Sequence, residues 1–415
     1  MANTYLTISM ITYEMLMVLH NNIVVAKKVN RNYEKQFART GAKIGQQVQI
    51  RKPPLYTVSD GAAFVGQDYT ETQVPLAITQ HKQIGVEFAN DDLTLSMDDF
   101  SGRFVKPAMV PLANQVDVDV VANFPLAWNT TGVPGTPAAT STPFLDAKTL
   151  LVNNAAPGDD WPMVVTPFVD ARLSDGLAGR FNPQKDISGL YLKGSMGPFG
   201  GWEFFDSQNM PVFTTGAWGA SVVGTGITVN QAGQIGSTLT LQGASDSITN
   251  MAVVGDVIQI GGVYQLNPVT YQSTGQLQNF VITANASSGG GGALVVSISP
   301  SIILAPNKGA TVSNSPANGA YVYVFGQQAN NYPNAVVTPQ CMGWQNEAIT
   351  LACVDLYMPD KGEGVLAERA ADDDLGLSIL FMRAFDPRAY SKLSRMDILY
   401  GTTFPRPEHV VRVCS

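Results

Sequence analysis

The sequence contains little cysteine, histidine or charge. Among its 415 residues are three cysteines and three histidines, and only 14% carry a charge. Three cysteines in so long a chain argue against a disulfide framework and favour a reducing compartment. No stretch reaches the roughly 18 uninterrupted apolar residues of a membrane helix, and the N-terminus lacks the basic patch of a secretion signal. These absences predict a soluble, cytoplasmic product.

The charge that is present is mainly acidic. Asp and Glu number 33 against 25 Lys and Arg, a formal net charge of −8, which excludes a basic nucleic-acid binder. A hydrophobic share of 45% excludes a disordered chain. The length suits two or three compact units, or one long domain with an insertion.

No pattern of catalytic or metal-ligating residues emerges. The histidines lie far apart without a ligand spacing such as His-x-x-x-His, which favours ordinary surface or interface positions: His20, His81 and His409. The acidic runs Asp159-Asp160 and Asp372-Asp373-Asp374 resemble solvated loops, and Cys341 and Cys353 are expected to be buried packing residues. Neither of the common nucleotide-binding glycine motifs occurs. We predict no enzyme activity, no cofactor and no metal.

The middle of the chain is almost free of charge. The 139 residues from Ser207 to Gln345 contain three charged side chains, Asp246, Asp256 and Lys308. Short runs rich in β-branched and aromatic residues follow one another there, separated by Gly, Asn and Ser: Thr238–Leu241, Val257–Ile260, Phe280–Ile282, Leu294–Ile298 and Tyr321–Phe325. We predict a compact all-β module of about six strands.

Helical and strand patterns are mixed on either side of this module. Apolar residues at helical spacing predict an N-terminal helix along Ile8, Ile11, Met15 and Leu19. The further helix candidates are the stripe from Met109 to Phe124 and the segment Phe144–Asn153, and the strand candidates are Met163–Val165, Ala348–Val354 and Leu377–Met382. The chain is therefore of the α+β class, with the β module inserted in a mixed domain.

A period-two pattern from Gly41 to Phe88 predicts a long β-hairpin. Apolar and polar residues alternate in three segments, and Ser59-Asp60-Gly61 between the first two is a turn signal. About twelve residues per arm would span about 40 Å at 3.3 Å per residue. Such an arm cannot bury its apolar face on its own base, so we expect a partner molecule to cover it.

Several short motifs follow one another along nearly the whole chain. They include Arg31-Asn32-Tyr33-Glu34-Lys35-Gln36-Phe37, Lys106-Pro107-Ala108, Gly194-Ser195-Met196-Gly197, Ser207-Gln208-Asn209-Met210-Pro211 and Arg395-Met396-Asp397-Ile398-Leu399-Tyr400-Gly401. In order and spacing they resemble the family of coat proteins of short-tailed double-stranded-DNA phages such as P22. No single motif is specific, but the ordered series is hard to obtain by chance.

The resemblance implies the Hong Kong-type (Johnson) phage capsid fold with an inserted β-barrel domain. The implied regions are an N-terminal arm (1–40), an extended hairpin called the E-loop (41–88), a peripheral domain with a spine helix (89–143), the first part of an axial domain (144–216), the barrel (217–335) and the returning axial and peripheral segment (336–415). Relatives often bridge capsomers through charged loops of the insertion. The corresponding loop here, Asn230 to Ile235, has no charge.

The same resemblance implies a structural major capsid protein. It would assemble in the host cytoplasm, with a scaffolding protein, into an icosahedral head that encloses double-stranded DNA, and would end in the virion. The implied partners are further copies of the chain in pentamers and hexamers, the scaffolding and portal proteins, and DNA held without sequence-specific contacts. Whether a decoration protein also binds is left open, and no membrane is involved.

Candidate contacts between subunits lie on the hairpin: Arg51, Lys52, Tyr56, Asp60, Asp68 and Glu71. The Arg51-Lys52 pair could meet acids on a neighbour or only blunt an exposed edge. Because an icosahedral shell places one chain in different environments, we expect hinges at hairpin bases; the candidates are Gly41, Gly45 and Gly85. Two segments remain candidates for the scaffold contact: the N-terminal helix and the final segment, Arg406 to Arg412.

Two other classes of protein remain open at this point. An encapsulin-like cellular compartment shares the shell fold but would be expected to lack the insertion. A secreted β-rich adhesin or carbohydrate-binding enzyme would explain the Gly-, Asn- and Thr-rich middle, but not the hairpin pattern.

Overall fold

The computed structural model describes residues 8–32, 47–54, 56, 58, 61, 64, 66–67, 71–88, 101–177, 198–220, 226–327, 332–359, 364–372, 376–386 and 391–415. The chain divides into two compact units. The first comprises Met1–Arg51, Gln73–Val121 and Ile349–Pro405, and the second Lys52–Thr72, Ala122–Ala348 and Arg406–Ser415. Each unit is thus assembled from segments that are distant in the sequence.

The described residues form four α-helices and twenty strands. The helices are α1 (Ile8–Asn22), α2 (Lys106–Val121), α3 (Thr142–Asn153) and α4 (Pro167–Leu177). The strands are β1 (Gln47–Arg51), β2 (Gln73–Ala77), β3 (Gln80–Phe88), β4 (Asn129–Gly132), β5 (Trp161–Val165), β6 (Pro198–Phe199), β7 (Trp202–Asp206), β8 (Val212–Thr214), β9 (Thr228–Val229), β10 (Gly236–Gln242), β11 (Val257–Leu266), β12 (Ser273–Ile282), β13 (Leu294–Ile302), β14 (Val322–Val324), β15 (Val337–Trp344), β16 (Thr350–Cys353), β17 (Val365–Asp372), β18 (Leu377–Asp386), β19 (Ser391–Thr403) and β20 (Val410–Cys414).

In the first unit, α1 and α2 pack against each other through the apolar stripes that the sequence predicts. α1 buries Ile11, Met15 and Leu19, and α2 buries its own stripe from Met109 to Val120. The α2 carboxylate of Asp117 accepts hydrogen bonds from the backbone N–H groups just after α1, so the turn is fixed to the helix. α2 ends at Val121, and the predicted Phe124 instead begins a separate 3₁₀ helix, Phe124–Leu126.

The predicted hairpin is shorter than its alternating pattern. β1 and β2 are antiparallel over five pairs, from Gln47 opposite Ala77 to Arg51 opposite Gln73. The third alternating segment, β3, instead pairs antiparallel with β19, from Gln80 opposite Tyr400 to Phe88 opposite Lys392. The third alternating segment therefore does not belong to the hairpin, because alternation identifies a strand but not its partner. β3 belongs to the five-stranded sheet formed with β16 to β19.

The second unit is built on a seven-stranded mixed sheet. Its order is β4-β20-β15-β5-β7-β6, with β8 also paired to β15. β4 with β20 and β5 with β7 are parallel pairs, and the other pairs are antiparallel. Phe144 and Leu151 of α3, together with Val169 and Leu173 of α4, are buried in its core against Trp202.

The charge-poor middle folds as the predicted all-β module. Its six antiparallel strands follow the order β14-β11-β12-β13-β10-β9. A bridge between Thr228 and Tyr321 joins the two ends of this order, and the backbone N–H of Val322 donates to the carbonyl of Ile227. The sheet therefore closes into a barrel, whose core runs from Trp218 to Tyr332.

Candidate assembly surface

The base of the β1–β2 hairpin is anchored in the first unit. Ile50 and Leu76 are buried and form a cluster with Leu399 of β19. At Gly401, next to this cluster, an added Cβ would collide with the carbonyl oxygen of Ala77. Glycine is therefore required there for the close approach of the two backbones. Gly401 is also the last residue of the motif Arg395 to Gly401, one of those that resemble phage coat proteins.

The segment that links β1 to β2 exposes apolar side chains to solvent. Val58 and Phe64 are 96% and 95% exposed, and Tyr56 is mostly exposed. Large apolar residues so fully exposed on one short segment mark an interaction surface, because their burial against a partner removes apolar area from water. Of these three, the sequence predicted only Tyr56 as a contact; the other predicted contacts on the hairpin are charged residues.

The other predicted contact residues have different environments. The Nζ of Lys52 lies 3.5 Å from the Oε1 of Glu408 in the same unit, so this lysine has an acidic partner within its own chain. Arg51 is exposed at the end of β1, and Glu71 is half-buried. Gly85 lies within β3, opposite Arg395. The remaining candidates, Asp60, Asp68, Gly41 and Gly45, lie outside the described residues.

The outer face of α1 carries a second exposed apolar group. Met10, Tyr13 and Met17 recur at helical spacing on the side away from the buried stripe, and Tyr13 is 65% exposed. The N-terminal helix therefore has apolar residues on both faces. The apolar periodicity of the sequence predicts one buried stripe and gives no separate signal for the outer face.

The uncharged loop between β9 and β10 is organised by one amide. The Gln234 side chain donates to the carbonyls of Asn230, Gln231 and Thr240, and its oxygen accepts from the backbone N–H of Thr240. Beside it, Ile235 is exposed. Hydrogen bonds thus order a loop that in relatives is often charged.

Two charged residues of the second unit are buried near one another. The Asp256 carboxylate accepts hydrogen bonds from the backbone of Gly216 and Val253 and from the Trp218 indole. Burial raises the pKa of Asp256, while these donors and the nearby Arg412 oppose the rise. The Arg412 guanidinium donates to the carbonyl of Gly255 and lies 5.8 Å and 5.9 Å from the ring centres of Phe124 and Phe213. The Asp256 carboxylate and the Arg412 guanidinium thus both form hydrogen bonds with the backbone.

The histidines do not share one environment. His20 and His81 contact the carboxylates of Asp372 and Asp397, whereas His409 is only 7% exposed. The expectation of a surface or interface position is therefore wrong for His409. Its Nε2 faces the carbonyl of Asn154 at 3.2 Å, and its Nδ1 has no hydrogen-bond partner within the described chain. Burial lowers the pKa of His409.

The buried packing predicted for Cys341 and Cys353 is confirmed, and Cys414 is buried as well. All three, Cys341, Cys353 and Cys414, are free thiols. Burial raises the pKa of Cys341 to about 12, so its sulfur stays protonated and is a poor nucleophile at neutral pH. Among the residues described, no group of three or more His, Cys, Asp or Glu side chains could hold a metal ion, and no helix is long and apolar enough to cross a membrane.

An α+β chain that carries an inserted β-barrel and exposes an apolar hairpin end has the architecture of a Hong Kong-type phage capsid protein. The sequence defines the family more closely. Residues 1–412 match the profile of the P22 coat protein, gene protein 5, and the chain belongs to the P22 coat protein family. It is a structural major capsid protein of the virion that assembles into a multimeric lattice.

Solved phage structures resemble this chain at low sequence identity. A structure from Mycobacterium phage Che8 shares 15% identity, with 94% of this chain and 90% of that chain covered and a TM-score of 0.46. The capsid of cyanophage P-SCSP1u shares 11%, covering 89% and 83%, with a TM-score of 0.42. The CUS-3 coat protein I-domain shares 22% over 25% of this chain and 98% of its own, with a TM-score of 0.19. No curated protein matches significantly.

Proposed function

We propose that this capsid protein assembles in the host cytoplasm, with a scaffolding protein, into a closed icosahedral shell that takes up double-stranded DNA through a portal. The observation that carries the proposal is the apolar end of the hairpin, with Val58 and Phe64 almost fully exposed, in a chain of the P22 coat protein family. The chain contributes contacts to the shell and carries out no chemical turnover.

The hairpin end, residues 52–72, is proposed to dock on a neighbouring copy. Val58 and Phe64 provide the apolar contact, and Tyr56 adds a ring with a polar hydroxyl, a residue type enriched at interfaces. Arg51, Glu71, Asp60 and Asp68 are proposed as polar contacts around it. Lys52 is the weakest candidate of this set, since Glu408 of its own chain already accompanies its ammonium group.

The outer face of α1 is proposed to receive the scaffolding protein. Met10, Tyr13 and Met17 form an exposed stripe that suits an amphipathic helix of a partner. The alternative site, Arg406 to Arg412, is disfavoured because His409, just before β20, and Arg412, within β20, are both buried. A scaffold must dissociate when the shell matures, and a stripe of three side chains suits such a weak contact.

The domain assignments from the resemblance are retained as part of the proposal. The barrel would project as a separate module from the axial and peripheral regions, and the Gln234-ordered loop would use hydrogen bonds where relatives use charges. Gly41 and Gly45 remain the proposed hinges of the hairpin. Gly85 is a weaker hinge candidate because its neighbours are paired with β19 throughout. A decoration protein is left open, and no observation favours an encapsulin-like compartment.

The proposal is tested by deleting Pro54 to Gln73 and by the double substitution Val58→Ser with Phe64→Ser. The wild-type protein, coexpressed with its scaffolding protein, should give hollow particles of uniform diameter in electron micrographs. Both variants should remain folded by circular dichroism but give few or no closed particles, because the apolar contact is lost. Substitution of Val152, an exposed apolar residue of α3, by Ser is the control and should leave assembly intact. Normal shells from the deletion would refute the role of the hairpin.

A further inference from the structure

A cleft of about 440 Å³ lies between the inserted barrel and the neighbouring elements α3 and β4 of the same unit. This volume falls within the range of small-molecule sites, which favour boundaries between domains. The residues that line the cleft are Thr130 and Thr131 of β4, Asp146, Thr149 and Leu150 of α3, and Gln259, Gln276, Leu277 and Asn279 of the barrel. No Lys or Arg is among these described residues.

The threonine hydroxyls of the cleft have their protons engaged elsewhere. Thr131 donates to the carbonyl of Pro143 at 2.9 Å, and Thr149 donates to the carbonyl of Leu145 at 3.1 Å. Thr130 donates more weakly, at 3.4 Å, to the carbonyl of Trp128. Because a hydroxyl has one proton and two lone pairs, the oxygens of Thr131 and Thr149 can only accept further hydrogen bonds, whereas Thr130, next to Thr131 in β4, points its side chain to the opposite face of the strand. On this side of the cleft, a ligand must therefore donate hydrogen bonds.

The charge in the cleft is also of one sign. Asp146 is exposed at its edge, whereas Lys148, two residues further along α3, lies 4.0 Å from the Asp159 carboxylate and does not line the cleft. The barrel wall is neutral, with Asn279 buried and its amide oxygen bound to the Gln259 amide at 2.6 Å. The lining therefore combines one carboxylate, the hydroxyls of Thr131 and Thr149 and the amides of Gln259, Gln276 and Asn279 with the apolar side chains of Leu150 and Leu277.

We propose that this cleft binds an aliphatic cation, an alkylammonium group. Its charged end meets Asp146 and the threonine oxygens, since ammonium groups are donors without acceptors. Its methylene chain lies along Leu150 and Leu277, as the stems of long cationic side chains do on apolar surfaces. The group comes from a free polyamine or from a Lys side chain of a neighbouring copy; the second source rests on the proposed function, and the first does not.

The free ligand is tested by calorimetric titration of the full-length, unassembled subunit with 1,5-diaminopentane and with spermidine. The wild-type protein and Asp159→Asn should bind both amines saturably. Asp146→Asn should bind at least roughly fivefold more weakly, because the charged hydrogen-bond acceptor is gone. Asp159→Asn is matched in charge but lies outside the cleft lining. Equal binding of the amines to Asp146→Asn and Asp159→Asn would contradict the proposed site.

The neighbouring copy is tested in assembled shells made from a mixture of ¹⁴N- and ¹⁵N-labelled subunits. A carbodiimide joins a carboxylate to an amine in direct contact, and mass spectrometry then shows whether an Asp146–Lys link connects light and heavy chains. Such a link without amine binding by free subunits would assign the cleft to a neighbouring lysine. The absence of both the link and saturable amine binding overturns the proposal. Failure of shell assembly leaves the calorimetric test intact, so the two proposals fail separately.

Discussion

At the scale of residues, the few charges of the barrel region act on the backbone. Asp256 binds two backbone N–H groups and an indole N–H, and Asp246 accepts from the backbone of Gly292 at 2.8 Å. An ionised acceptor makes stronger hydrogen bonds than a neutral one, so a single carboxylate can fix a turn that has no regular ladder. A segment with almost no surface charge thus uses its acids for structure.

Arg412 is predicted to stabilise the second unit strongly. Arg412→Met should lower the free energy of unfolding by about 3 kcal/mol, because it removes the bond to Gly255 and leaves Asp256 buried without a cationic neighbour. Urea denaturation followed by tryptophan fluorescence measures this loss. Arg172 lies 5.2 Å from the Phe168 ring, but both residues are exposed, so Arg172→Met should cost no more than about 0.5 kcal/mol. Equal losses would contradict the argument.

His409 is predicted to make the second unit sensitive to acid. Since burial lowers its pKa in the folded state, the unfolded chain takes up a proton first as the pH falls below the ordinary value of about 6.5. Stability should be full above that value and decline below it, with a slope of at most about 1.4 kcal/mol per pH unit for one proton. Glu408 opposes the shift, and Arg406 and Lys52 reinforce it.

The measurement is urea denaturation at pH 7.5 and pH 5.5. His409→Gln keeps a donor for the carbonyl of Asn154 but cannot titrate, so its stability should depend less on pH than that of the wild type. The same dependence in both proteins would show that other groups control the acid response. Because Asn154 also accepts from Gln265 of β11 at 2.9 Å, loosening at His409 should also weaken the contact with the barrel.

At the scale of elements, the sequence predicted the helices and strands that have a local pattern of their own. Helices α1, α2 and α3 follow from periodicity. Five of the barrel strands follow from runs rich in β-branched and aromatic residues, whereas β9, with two residues, is too short to give such a signal. The partner of β3 did not follow, because alternating residues suit either of two sheets equally well. The motif series led to the family, and the family match confirms it.

The assembly surface was harder to predict than the fold. Five of the six contacts predicted on the hairpin are charged residues, yet among its described residues the apolar Val58 and Phe64 are almost fully exposed. Sequence alone does not separate an exposed apolar residue from a buried one within an irregular segment. Likewise, the burial of His409 depends on contacts with Asn154, 255 positions away, and no local pattern carries that information.

The barrel is predicted to fold when separated from the rest of the chain. Residues Trp218 to Asn334 contain its six strands and the core from Trp218 to Tyr332. The Tyr332 hydroxyl accepts from the backbone of Ile227 and contacts the Tyr321 hydroxyl, which ties the end of the module to its beginning. Thermal unfolding monitored by circular dichroism should be cooperative and β-type. Tyr332→Phe, which loses these bonds, should unfold at a lower temperature, and a disordered spectrum of the unsubstituted module would contradict its independence.

At the scale of the whole molecule, shell assembly favours many weak contacts over one strong contact. A contact with a millimolar dissociation constant is worth only about −4 kcal/mol, so a misplaced subunit can leave, while several contacts engaged together hold it firmly. The hairpin end and the outer face of α1 are both small apolar surfaces. Each is therefore suited to a weak, reversible contact of the kind proposed above.

The acidic character of the chain leads to a prediction about DNA. With a net charge of −8, the subunit offers no excess of cations to release the counterions of a duplex, and that release drives non-specific binding. Fluorescence anisotropy with a labelled 30-base-pair duplex should therefore show no binding tighter than about 10⁻⁴ M at physiological salt. Binding in the micromolar range that weakens steeply with added salt would reveal a local basic surface. In its absence, mobile cations must neutralise most of the packaged DNA, and the shell contributes confinement without attraction.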